Sequence, residues 1–129
     1  MMKLRPDPRV REWLDRQEPQ SLCLSATSWS ELLAGIEIMP TGRRKQGFAL
    51  VLREFRARVL ADKLLLFDEA ATEAYVVLVN RARSKGYKIA IADGQIAAVA
   101  KVHGYTVATR DTQPFLAADV DVINPWEAE

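Results

Sequence analysis

The sequence predicts an α/β domain in which a parallel sheet lies between layers of helices. Short apolar runs of strand character, at 21–26, 64–67, 105–109 and 120–123, alternate with longer stretches of helical period. Cap residues open the helical stretches, and glycine or proline closes them. Three carboxylates, Glu31, Asp93 and Asp111, follow the apolar runs or open helices behind them. A parallel sheet collects such positions at its carboxyl edge. With 129 residues, 49% hydrophobic and 27% charged, the chain has the size and composition of one globular domain.

Each element has a local reason. Asp7 and Pro8 suit a helix cap and first turn, with Val10, Trp13 and Leu14 as the apolar stripe and Glu18-Pro19 as the stop. The run 21–26 reads as a strand, with Cys23 expected as a small buried core residue. Thr27 or Ser28 is expected to cap the next helix, with Glu31 in its first turn at capping-box spacing from Ser28. Trp29, Leu32, Leu33 and Ile36 recur at i, i+3, i+4 and i+7. Pro40-Thr41-Gly42 breaks the chain before a long helix over 43–60, whose stripe is Phe48, Val51, Leu52, Phe55 and Val59. A strand at 64–67 leads to a helix opened by Asp68 and Glu69 and closed by Gly86. The run 88–92 is ambiguous. Asp93 is expected to cap a helix over 94–103 that Gly104 terminates. A strand at 105–109, a turn at 110–114 and a last strand at 120–123 complete the pattern before Asn124-Pro125-Trp126.

Composition excludes several classes. Lys and Arg number 18 against 17 Asp and Glu, so a net charge of +1 gives no general attraction to nucleic acid. One cysteine makes no internal disulfide. No apolar run approaches the roughly 18 residues of a membrane span and no signal peptide is visible, so a cytoplasmic protein is expected. No G-x-G-x-x-G or P-loop supports a nucleotide-binding domain.

Taken singly, each acid has an ordinary explanation: a helix cap for Asp93, a turn for Asp111, the helix dipole for Glu31. Together they suggest more. Asp93 and Asp111 bracket one helix and its return strand, so both finish at the carboxyl end of the sheet. Glu31 lies off the apolar face of its helix, beside the small residues Thr27, Ser28, Ala34 and Gly35. Carboxylates about 4 Å apart repel by about 4 kcal/mol at an effective dielectric of 20, which a bound cation offsets. Hard oxygen donors suit Mg²⁺ or Mn²⁺. His103, the one histidine, sits where it favours a helix dipole, which disfavours zinc and triad chemistry. Arg43, Arg44 and Lys45 form a basic run that reads as a solvated helix start or as a hold on an RNA backbone.

Six segments resemble one family. They are Arg5-Pro6-Asp7-Pro8-Arg9-Val10, Leu24-Ser25-Ala26-Thr27-Ser28-Trp29-Ser30-Glu31-Leu32, Met39-Pro40-Thr41-Gly42-Arg43-Arg44, Ile91-Ala92-Asp93-Gly94-Gln95-Ile96-Ala97-Ala98, Thr106-Val107-Ala108-Thr109-Arg110-Asp111 and Val122-Ile123-Asn124-Pro125-Trp126. In order and spacing they are similar to PIN-domain proteins of the VapC/FitB toxin type, over nearly the whole chain. The resemblance implies a three-layer fold and a Mg²⁺- or Mn²⁺-dependent endoribonuclease that hydrolyses RNA phosphodiester bonds as the toxin of a toxin–antitoxin pair. It implies an RNA substrate, a cognate antitoxin and a homodimer; Trp13 and Trp126 are candidates for such an interface. Glu31 and Asp93 match the second and third acids of the family's pocket, Asp111 the fourth, and Thr109 a hydroxyl beside it.

One departure bears on all of this. The family opens with a central apolar strand ending in Asp-Thr-Asn, which carries the first acid, whereas this sequence opens Met1-Met2-Lys3-Leu4-Arg5-Pro6. The expectation is a sheet lacking its first central strand, weak metal binding, marginal stability and impaired nuclease activity. The alternative reading is a catalytically inactive PIN-like protein whose pocket receives a basic side chain of an antitoxin.

Overall fold

The computed structural model describes residues 8–18, 21–58 and 63–127. Its elements follow in the order α1 (Pro8–Arg16), β1 (Leu24–Ser25), α2 (Ala26–Glu37), α3 (Arg43–Arg58), β2 (Leu64–Leu65), α4 (Glu69–Ser84), α5 (Ile91–His103), β3 (Val107–Ala108), α6 (Gln113–Ala117) and β4 (Val122–Ile123). The chain divides into two units, Met1–Leu65 and Leu66–Glu129. Strands and helices are interleaved, except that α3 follows α2 and α5 follows α4 with no strand between, and both strand pairs are parallel: β1 with β2 in the first unit, β3 with β4 in the second. The ladders are shorter than the apolar runs, two residues on each strand, and they form two separate pairs. The cap expected at Asp7 and the stripe positions Val10, Leu14 and Val59 lie outside what is described.

In the first unit, α2 begins one turn earlier than the sequence suggests. Ser25, in extended backbone, is its N-cap, and its Oγ accepts from the Ser28 N–H at 3.0 Å. Ser25 Oγ also donates to Ser28 Oγ at 2.9 Å, so both hydroxyls serve the helix start. This corrects the expected cap at Thr27 or Ser28, and it moves Glu31 out of the first turn. Ile36, Phe48 and Leu52 form the core between α2 and α3, with Trp29, Leu32, Met39 and Ala49 packed against it. The cover ends there: Val51 and Phe55, expected on the buried stripe, are 59% and 40% exposed. Cys23 is half-buried rather than a core residue.

The second unit is held by α4 against α5. Asp68 caps α4 as expected, accepting from the Ala71 N–H at 3.0 Å. Leu78, Ala71 and Ala82 on α4 and Ala97, Ala98 and Val99 on α5 are buried, with Ile89, Phe115 and Val120 around them. Small residues on both helices let the backbones approach closely. Gly94 is the tightest point: a Cβ there would stand 2.7 Å from Tyr75 Cε2 and 3.4 Å from Val79 Cγ2. Tyr75 is itself fixed edge-on against Phe67, with ring centroids 5.9 Å apart. Gly104 ends α5 in the left-handed conformation at φ 70°, as the sequence suggests. The expected turn at 110–114 instead opens α6, where Pro114 sits in the first helical turn. Asp119, the residue after the Ala118 cap of α6, is a non-glycine residue at φ 57°, and its carboxylate meets Lys85 Nζ at 2.6 Å and Arg81 Nε at 3.7 Å.

Gly94→Ala is therefore expected to destabilise, although alanine is the better helix former by about 1 kcal/mol. The added methyl would fall 2.7 Å from the Tyr75 ring, which already packs edge-on against Phe67, and overpacking of this kind costs about 1–3 kcal/mol. Thermal unfolding followed by circular dichroism should show a lower Tm, and an unchanged or raised Tm refutes the tight contact. Ser25→Ala should lose about 1 kcal/mol through its cap, measured in the same way.

Candidate metal centre

The structure brings two of the expected acids together. Asp93 is not the cap of α5. Ala90 is, in extended backbone and without a side-chain cap bond, and the helix starts two residues before the acid. Asp93 thus stands at the third helical position, inside the first turn, where a carboxylate meets the positive end of the helix dipole. It precedes Gly94, so the close approach of α4 and α5 fixes the backbone that carries it. Asp111 arrives from the other side. It lies three residues beyond the carboxyl end of β3, to which α5 returns the chain.

Burial pushes the Asp93 carboxyl above the usual carboxylate range, and the charge of Asp111 pushes it further the same way. Two like charges are thus held within reach of one another, one of them partly withdrawn from water. An acid pair so placed supplies hard oxygen donors whose mutual repulsion a divalent cation would offset.

The loop that carries Asp111 is tied to the end of β4. The Thr109 N–H donates to the Ile123 carbonyl at 3.0 Å, continuing the β3–β4 ladder. Thr109 Oγ1 accepts from the Asp111 N–H at 3.2 Å, so the hydroxyl matched by resemblance holds the acid's backbone. The sequence reading missed Asn124. Its Nδ2 donates to the Arg110 carbonyl at 3.5 Å, and its Oδ1 accepts from the Trp126 N–H at 2.9 Å. The available signal was an Asn two residues before an amide in a turn, the spacing of an Asx-turn.

Glu31 lies exposed on α2 in the first unit. Among the described residues, no group of three or more His, Cys, Asp and Glu side chains is placed to hold a metal ion. The basic run has structural partners of its own. Arg44 lies over the Phe48 ring at 5.9 Å, and Lys45 Nζ donates to the Glu37 carbonyl at 3.0 Å at the end of α2. Arg43 and Arg44 are exposed and Lys45 half-buried. His103 ends α5 as expected and stacks on Tyr105 with centroids 5.7 Å apart. Trp126 is half-buried, and its indole N–H is buried with no partner among the described residues.

A helix start and a strand end near one edge of parallel strands are the arrangement of the α/β class, in which that edge is the usual place for a ligand. The family follows from comparison. The sequence profile of the PIN domain matches residues 3–121, and the chain belongs to the PIN-domain family. It is 44% identical over 127 residues to VapC ribonuclease Y4jK of Sinorhizobium fredii, covering 98% of this chain and 91% of that protein. It is 42% identical over 125 residues to toxin FitB of Neisseria gonorrhoeae, covering 95% and 90%. The structure of FitAB bound to an IR36 DNA fragment contains a chain that superposes with a TM-score of 0.92 at 38% identity, covering 98% and 89%. Among the described residues, no helix is long and apolar enough to cross a membrane.

Folding raises the Asp93 carboxyl, so between its unfolded and folded values the native state binds the more protons, and stability falls as pH rises. The cost is absent below the unfolded value of about 4 and complete above the raised one. Asp93→Asn should therefore raise Tm near neutral pH in the presence of a chelator, by an amount that shrinks as the pH falls to about 4. A pH-independent difference between the two proteins overturns this reading of the pair.

Proposed function

We propose that this protein is a divalent-metal-dependent endoribonuclease, the toxin of a toxin–antitoxin pair, which hydrolyses RNA phosphodiester bonds. The observation that carries the proposal is the Asp93–Asp111 pair at the start of α5 and the end of β3, in a chain of the PIN-domain family. Names of relatives support the activity, since one similar protein is a VapC ribonuclease and another a toxin. Mg²⁺ or Mn²⁺ is the cation that the hard carboxylate donors fit.

Asp93 and Asp111 are the proposed metal ligands, with Glu31 as a third on the strength of its place in the segment Leu24-Ser25-Ala26-Thr27-Ser28-Trp29-Ser30-Glu31-Leu32. The chemistry such a cation supplies when bound is polarisation of a phosphate oxygen and a more acidic water. The chain's own residues do the rest. Asp93 and Asp111 concentrate negative charge that attracts the cation and orients water by accepting its hydrogen bonds. The first peptide N–H groups of α5 present a positive dipole end suited to a phosphate oxygen. Thr109 holds Asp111 in place through its backbone amide. Arg43 and Arg44, both exposed, are the proposed contacts to the RNA backbone, with Lys45 between them and the end of α2. A cognate antitoxin and a second copy of this chain are the proposed protein partners. The FitAB complex of a similar protein supports the first.

Two measurements test this reading. Mn²⁺ at about 100 times its Kd should stabilise the wild type by about 2.7 kcal/mol, read as a raised Tm. Asp93→Asn, Asp111→Asn and Glu31→Gln should each reduce that shift, and a full shift in Glu31→Gln removes Glu31 from the ligand set. Structured RNA incubated with Mn²⁺ should be cleaved by the wild type, and at least about 10²-fold more slowly by Asp93→Asn. Equal cleavage by the two proteins refutes the assignment. Ion binding without cleavage would favour an inert antitoxin-binding protein instead.

A further inference from the structure

We infer that Asn124 is a positioning residue for the acid pair, and that it aims Asp111 by clasping the loop between β3 and α6 to the segment that follows β4. The inference rests on the metal reading above for its consequence, but its geometry is independent of it. Because β3 and β4 are parallel and paired Val107 to Val122 and Ala108 to Ile123, their chains leave the ladder at the same end. Asn124 is the first residue beyond β4, beside Thr109 and Arg110, the first two beyond β3.

The two bonds of the Asn124 side chain determine its residue type. The Trp126 N–H can only donate, so it faces the side-chain oxygen. The Arg110 carbonyl can only accept, so it faces the side-chain nitrogen. Aspartate lacks the donor, serine lacks the reach, and alanine lacks both groups. The Asn124 amide therefore bridges two backbone segments that no ladder bond joins. On one side the Trp126 N–H fixes it in a turn over the buried Pro125. On the other it holds the carbonyl of the residue immediately before Asp111. Thr109 closes the clasp with its backbone bond to Ile123 and its hydroxyl bond to the Asp111 N–H. Both polar groups of the peptide unit that precedes Asp111 are thus held, the Arg110 carbonyl by Asn124 and the Asp111 N–H by Thr109. Without the Arg110 anchor, the peptide unit that precedes Asp111 keeps only its bond to Thr109.

The decisive variant is Asn124→Ser. A serine hydroxyl can still accept from the Trp126 N–H in the equivalent turn, but it cannot reach Arg110. Two readouts are taken on the full chain, wild type against variant. The first is the Asp111 amide in a ¹H–¹⁵N correlation spectrum, with its hydrogen-exchange rate. The second is the Kd for Mn²⁺ by titration calorimetry. The expected result is a shifted, faster-exchanging Asp111 amide and Mn²⁺ binding weaker by about tenfold, the scale of lost support to a metal ligand. Asn124→Gln, which keeps donor and acceptor, should recover part of that affinity. An unmoved Asp111 amide with unchanged Mn²⁺ affinity in Asn124→Ser overturns the inference. A merely structural role would lower Tm in Asn124→Ser and leave the Asp111 exchange rate and the Kd where they were, which also overturns it. If the wild type itself ignores Mn²⁺, the metal reading fails, and the Asp111 amide alone decides the clasp.

Discussion

The close approach of α4 and α5 at Gly94 is the constraint on which the second unit depends. The side chains of Tyr75 and Val79 on α4 can lie this near α5 only because α5 carries no side chain there, and a Cβ at Gly94 would fall 2.7 Å from the Tyr75 ring. The surrounding alanines continue the same surface, since Ala71, Ala82, Ala97 and Ala98 are all nearly or wholly buried. Packing of small residues at this density leaves little room for adjustment. The residue before Gly94 is Asp93, so an acid is mounted beside the close contact of α4 and α5. A carboxylate that must hold a fixed position against a repelling neighbour benefits from such a mount.

Stability and function pull in opposite directions at that point. Burial and Asp111 both disfavour the charged form of Asp93, so the folded chain carries a cost there at neutral pH. The dipole of α5 offsets part of it, because the acid lies in the first turn. The exposed cluster at Asp119 has the opposite sign. There the hydrogen bond from Lys85 leads the effects that hold the carboxyl below its usual range, with Arg81 and Lys101 acting the same way. Stability from that cluster is present above the ordinary carboxylate value and fades as the pH falls through the lowered one. Solvent screens it, since the group is fully exposed. Two aspartates of one unit are thus shifted in opposite directions, Asp93 by burial and a like charge, Asp119 by a hydrogen bond and nearby cations.

Much of this was legible in the sequence, and the failures have physical causes. Helices announced themselves through period and punctuation: Asp68 before α4, Gly86 and Gly104 after α4 and α5, and the break at Pro40-Thr41-Gly42. Helix starts were misplaced where several polar residues competed. Ser25, Thr27 and Ser28 are all good caps, and tertiary context chose the first. Asp93 looked like a cap because Ile91 and Ala92 continue an apolar run, yet both are compatible with a helix, and α5 starts at Ile91. Strand runs were read longer than their ladders, because apolar alternation reports burial while a ladder requires a partner. Phe55 was placed in the core by period alone, but no period states how far a neighbouring helix extends.

The site divides along the same line. Asp93 and Asp111 could be paired from sequence, because a helix and its return strand are local and their lengths fix where both ends fall. Asn124 could not, because it meets Arg110 through a carbonyl that every residue possesses. Side-chain chemistry is written in the sequence, whereas the backbone atom that a side chain meets is determined by register. Here the register is that of β3 on β4, two residues on each strand. So short a ladder holds the Asp111 loop weakly by itself, and bonds from Thr109 and Asn124 supply the remaining restraint. A short sheet edge with side-chain ties beyond it is a way to place an acid accurately in a loop, where regular structure has already ended.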